Sequence, residues 1–138
     1  MALWIQISTG SSEPVYAQII TQIRRSIAKG QLRAGDKLPA VRKLASELVI
    51  NPNTVAKAYM HLEQEKLVVT KTGSGTYVAD SKIRSADAAD LNILAERIDN
   101  AITRAINLGL SKNELTELFQ SRLEKFTDKP HQTGEENE

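Results

Sequence analysis

Two short helical patterns follow one another with almost nothing between them, and this spacing narrows the fold more than any other feature. Val41, Leu44, Ala45 and Leu48 recur at helical intervals after Pro39, a residue tolerated in a first turn. The pattern breaks at Val49-Ile50. Asn51-Pro52 opens a further helix at once, because Asn caps well and Pro suits the next position. Val55, Ala58, Tyr59 and Leu62 form its apolar stripe, and Asn53, Thr54, Ala56, Lys57 and His61 lie on the outward side.

The flanking segments complete the motif. Trp4 to Ile7 reads as extended, and Ser8 to Ser12 as loop. A first helix opens at Glu13-Pro14. It buries Tyr16, Ile19, Ile20, Ile23 and Ile27, faces Gln18, Gln22, Arg25 and Lys29 elsewhere, and ends at Gly30. Leu32 to Lys37 reads as a turn. Leu67 to Thr72 is rich in β-branched residues, Gly73-Ser74-Gly75 signals a hairpin, and Thr76 to Val78 returns. Three helices followed by a small hairpin predict a winged helix-turn-helix over residues 1–80, in a mainly α (α+β) chain.

After Asp80 the composition shifts. Residues 81–86 are small and polar and read as a linker or a frayed helix start. Leu91, Leu94, Ile98, Ile102 and Leu108 then mark a long fourth helix that Gly109 stops. Ser111 with Glu114 fits a capping box, and the fifth helix carries Leu115, Leu118, Phe119, Leu123 and Phe126. Residues 128–138 are polar and are expected to be a disordered tail.

Charge follows the same division. The whole chain carries a formal +1, but residues 1–80 hold ten Lys/Arg against six Asp/Glu, a net of +4. The remainder holds eight against eleven, a net of −3, so a basic module joins an acidic segment. The absence of cysteine excludes disulfides, thiolate zinc sites and a cysteine nucleophile, and two histidines exclude a multi-histidine metal centre. No cofactor is expected. No apolar run approaches the ~20 residues that span a bilayer. The N-terminus lacks a secretory pattern, so a cytoplasmic protein without membrane association is expected. Ser74 lies between glycines but lacks the strand–helix setting of a nucleophile elbow, and no phosphate-binding loop is present; an enzyme is not expected.

A helix-turn-helix places the start of its second helix in the major groove of double-stranded DNA. Here Asn51, Asn53, Thr54 and Lys57 occupy that start. Asn can pair with adenine, Thr can touch a thymine methyl, and Lys can reach guanine or phosphate. Arg42 and Lys43 on the preceding helix suit phosphate contacts. Lys71 and the Gly73-Ser74-Gly75 turn form a small tip for the DNA backbone or minor groove. The competing view is a winged helix that serves as a protein-interaction module without DNA binding, which would need neither the Asn51 helix start nor a basic wing.

These residues carry a family resemblance. Gly35-Asp36-Lys37-Leu38-Pro39, Arg42-Lys43-Leu44-Ala45, Asn53-Thr54-Val55, Leu62-Glu63 and Gly73-Ser74-Gly75-Thr76-Tyr77-Val78, with Pro14-Val15-Tyr16-Ala17-Gln18-Ile19 upstream, resemble the GntR family of bacterial transcription regulators. The resemblance implies DNA contacts at Arg42, Asn53, Thr54 and Gly75. Two positions depart: many members carry Arg where this chain has Pro52 and Ala56. The Asn-Pro-Asn-Thr form with Lys57 looks like the YtrA-like branch and its aminotransferase-fused relatives. Only 58 residues follow Asp80, too few for a fused aminotransferase or a separate ligand-binding core.

A two-helix segment over residues 81–127 resembles the YtrA-like branch, in which such a tail dimerises. Physics points the same way, since two amphipathic helices joined by a tight turn have little interior of their own. The stripe of Leu91, Leu94, Ile98, Ile102, Leu108, Leu115, Leu118, Phe119 and Leu123 is therefore expected to meet a second copy. A homodimer would set two reading helices about 34 Å apart, matching a palindromic operator. Packing back on the winged helix is the monomeric alternative. The resemblance implies a repressor and an unidentified small-molecule effector, for which no residue here speaks.

Overall fold

The computed structural model describes residues 5–80 and 87–127, which fall into two compact units. The expected linker over 81–86 and the expected disordered tail from Asp128 lie outside the described residues.

In the first unit the helices form where the apolar spacing predicts. Helix α1 (Val15–Ala28) buries Ile19, Ile20, Ile23 and Ile27. Gly30 ends it at φ +80°, and the N–H groups of Gln31 and Leu32 both donate to the Ser26 carbonyl, at 2.9 and 3.1 Å. Helix α2 (Val41–Leu48) buries Leu44 and Ala45 and closes through Val49 in the left-handed region, φ 57° and ψ 52°. Helix α3 (Pro52–Gln64) is capped by Asn51 and buries Val55, Ala58, Tyr59 and Leu62. It packs against both α1 and α2. The Tyr59 hydroxyl donates to the Pro39 carbonyl at 2.8 Å, which fixes α3 to the chain entering α2.

The wing is strand β1 (Val68–Lys71) antiparallel to β2 (Gly75–Val78), with Val68 opposite Val78 and Lys71 opposite Gly75. The turn centres on Thr72-Gly73, one residue earlier than the glycines suggest, and the Ser74 N–H donates to the Lys71 carbonyl at 2.9 Å. The turn expected over Leu32 to Lys37 is present at Ala34-Gly35, where Asp36 N–H donates to Arg33 O at 2.9 Å, and Asp36 to Leu38 then run beside β2 as a third segment. Leu38 N–H donates to Thr76 O and Val78 N–H to Asp36 O, both at 2.8 Å, around a bridge between Lys37 and Tyr77. Ile19, Ile23, Leu38, Val55, Leu62 and Val68 are the largest fully enclosed side chains, so helices and wing share one core.

Gln18 departs from its expected outward position. Its side chain is buried, and the amide is fully used: Oε1 accepts from Ser8 N–H at 2.8 Å. Nε2 donates to Ser8 O at 3.0 Å and Glu13 O at 2.9 Å. Gln22 makes a similar pair with the backbone of Gln6, at 3.0 and 2.7 Å. A polar residue is cheap to bury when every donor and acceptor finds a partner, and here two glutamines hold residues 5–13 along α1.

The second unit is helix α4 (Ala88–Asn107) and helix α5 (Lys112–Thr127). Asp87 and Asp90 form a capping box that starts α4. Gly109, at φ +90°, turns the chain. Ser111 and Glu114 cap α5 as the sequence predicts, with Glu114 N–H on Ser111 Oγ at 3.1 Å and Ser111 N–H on Glu114 Oε1 at 2.8 Å. The helices do not lie along each other with a shared packed face. Ala105 alone is buried in this unit, and Leu91, Leu94, Ile98, Ile102, Leu108, Leu118, Phe119 and Leu123 are all exposed among the described residues. No described helix is long and apolar enough to cross a membrane.

Candidate nucleic-acid interface

The first turn of α3 is built by its cap. Asn51 Oδ1 accepts from the Asn53 N–H at 2.8 Å, and Pro52 fills the position whose missing N–H costs nothing. The Asn51 oxygen, one of the groups expected to read DNA, is thus committed to the helix. Asn53 is exposed and its side chain has no protein partner among the described residues, while Thr54 is half-buried beside it.

Helix α2 offers a parallel arrangement. Arg42 and Lys43 follow Val41 in its first turn, as Asn53 and Thr54 follow Pro52 in α3. Both cations are exposed, and no described carboxylate pairs with either. The described ion pair, Arg24 with Glu65, joins α1 to the far end of α3. Unpaired cations near one reading helix attract an anionic polymer without first losing an internal partner.

Lys57 was expected to face outward for guanine or phosphate. Its Nζ lies 4.0 Å from the Tyr16 ring centroid, a cation–π contact that draws it toward α1. His61, one turn later, stacks on the same ring at 5.6 Å between centroids and 28° between planes. His61 is thus a packing histidine, as its isolation in the sequence suggests.

The wing is braced from within. Lys71 Nζ lies 4.8 Å from the Tyr77 ring centroid, and Ser74 Oγ hydrogen-bonds the Tyr77 hydroxyl. Tyr77 is half-buried and serves as this brace. Gly75 has φ +142°, and a Cβ there would fall 2.7 Å from Lys37 Cε. Lys37 therefore crosses the wing directly over Gly75, the residue that pairs with Lys71. Sequence reasoning left Lys37 out of the candidate interface. The signal was available in the alternation through Asp36, Lys37 and Leu38, but Gly35-Asp36 reads first as a turn.

The elements thus assemble two helix starts and a basic, glycine-bearing wing on one unit. The exposed stripe of α4 and α5 belongs to the other. Residues 15–78 match the model of the bacterial regulatory proteins of the gntR family. The chain is 39% identical to the HTH-type transcriptional repressor YtrA of Bacillus subtilis over 82% of its own length and 87% of that protein. Among solved structures, a transcriptional antiterminator from Listeria monocytogenes superposes with a TM-score of 0.81 at 30% identity, covering 89% of this chain and 92% of that one. YtrA from Sulfolobus acidocaldarius, a GntR-family transcription factor, gives 0.57 at 40% identity, over 72% of this chain and 97% of the other.

Proposed function

This chain belongs to the GntR family of bacterial regulatory proteins, a family of transcriptional regulators and not of enzymes, and from that membership we propose that it is a dimeric, cytoplasmic repressor that binds a palindromic operator. One observation carries the DNA reading. The α3 cap is satisfied internally by Asn51, which leaves Asn53 exposed and uncommitted, and in the first turn of α2 Arg42 and Lys43 are exposed with no described carboxylate on either. In this reading Arg42 and Lys43 hold phosphates, Asn53 and Thr54 read bases, and Lys71 with Gly73, Ser74 and Gly75 approaches the backbone or minor groove. Lys57 supports the helix from its seat on Tyr16. The repressor sense rests on the likeness to a protein named as a repressor.

The dimer is supported by the second unit. Its stripe from Leu91 to Leu123 is exposed on two helices that do not cover each other. Apolar surface of that extent is unusual on a monomer. Residues 1–80 are then the DNA reader and 81–127 the dimerisation segment.

Selection of bound sequences from random DNA with the purified chain tests the reading, and an inverted repeat is expected. Arg42→Ala should weaken binding to every sequence and lower the salt slope by about 0.9 for each lost phosphate contact, about 1.8 for the two half-sites of a dimer. Asn53→Ala should relax preference at one base, where a good contact discriminates by about 1–3 kcal/mol. Two variants that titrate like the parent chain would reject this docking.

A further inference from the structure

We infer that α3 reads thymine methyl groups, and that the centre of each half-site is rich in A·T pairs. The inference rests on the operator-binding reading above and adds to it which bases are read and how.

The outward line of α3 runs opposite its buried residues Val55, Ala58, Tyr59 and Leu62. At helical spacing that line is Asn53, Lys57 and Met60, with Ala56 at its edge, all exposed, Met60 at 52%. Lys57 is the one cation on it, and its ammonium group sits over the Tyr16 ring. Gln64 continues the line but is the last residue of the helix, remote from the N-terminal turns that enter a groove. With Lys57 held on Tyr16, the face presented to base edges has two hydrogen-bonding groups, the exposed Asn53 amide and the half-buried Thr54 hydroxyl, and two apolar groups, the Ala56 methyl and the Met60 thioether chain.

Guanine is read most often by a bidentate Arg or Lys, and the one such side chain on this line, Lys57, is engaged with Tyr16. An Asn amide matches adenine N6 and N7. Apolar side chains match the one apolar group in the major groove, the thymine C5 methyl.

The test uses the full-length chain and the operator obtained by selection. Each half-site thymine is replaced in turn by deoxyuridine, which pairs identically and lacks only the methyl. Losses of about fourfold in affinity are expected at one or two positions, the worth of one buried methyl. In Met60→Ser the thymine-to-deoxyuridine ratio at one of these positions should fall toward one. Ala56→Arg, carried through selection again, should acquire a guanine. Equal binding of every deoxyuridine operator overturns the inference while leaving sequence-specific binding intact. So does a methyl effect that persists unchanged in both variants. A chain that selects no sequence at all overturns this inference and the function it rests on together.

Discussion

At the scale of single residues, Val49 carries the sharpest tension between sequence and backbone. The turn needs a left-handed residue there so that Ile50 N–H can reach Ala45 O at 3.0 Å, yet the residue is β-branched. Left-handed backbone costs a non-glycine residue about 1–2 kcal/mol. The side chain is 87% exposed, so no packing offsets that cost. Val49→Gly should therefore raise the unfolding free energy, by about 0.5–1 kcal/mol once glycine's extra unfolded freedom is subtracted. Urea denaturation measures it, and a lower midpoint would contradict the strain. Tyr59 works in the opposite sense. Burial holds its phenol above the ordinary value of 10.0, and the neutral form donates to Pro39. The raised value makes its contribution complete below the unfolded phenol's pKa and lost as pH rises from there toward the folded one. Tyr59→Phe should cost about 1–2 kcal/mol near neutrality by orphaning the Pro39 carbonyl, and should flatten the alkaline fall in stability followed by circular dichroism. Both residues show where sequence legibility ends. The break at Val49-Ile50 is readable, but its left-handed geometry is not, because glycine is the usual sign of it. Gln18 reads as outward because periodicity records polarity and cannot foresee that three backbone groups of residues 8–13 match one amide.

At the scale of elements, the helices whose ends carry strong punctuation were legible and the rest less so. Asn51-Pro52 and Ser111 with Glu114 are conventional start signals, and both do what they predict. The start of α4 is hidden, since Asp87 and Asp90 use an aspartate where the reciprocal partner is ordinarily Glu or Gln. Asp87→Ala should remove about 1 kcal/mol from that helix end. Faster amide exchange confined to the first turn of α4 is the expected sign, with α5 unchanged. The wing was legible as a hairpin from its β-branched run, but its third segment was not. Its alternation through Asp36, Lys37 and Leu38 is short and follows Gly35-Asp36, which reads first as a turn. Lys37 was left out of the candidate interface for that reason.

At the scale of the whole molecule, the described chain falls into two units, and the sequence already marks the division by charge and composition. What one chain's sequence leaves open is where an exposed face finds its cover. Two helices with apolar stripes form as expected, and, as expected of such a pair, they make little interior of their own: Ala105 is the one buried residue of the pair among those described. Leu94→Asp combined with Ile98→Asp places charge in the middle of the α4 stripe. Sedimentation equilibrium should then give the mass of one chain in place of two, with a thermally intact winged helix. Operator affinity should drop by tenfold or more, since the half-sites would be engaged singly. A double variant that still sediments as a dimer would place the contact elsewhere. The exposed stripe of α4 also has a consequence for the cell. If the operator accepts only paired chains, occupancy at low abundance is second order in copy number, and halving the protein leaves about a quarter of the active species. A gene under such control would open steeply as growth dilutes its regulator, a threshold response arising from a helix face with no cover of its own.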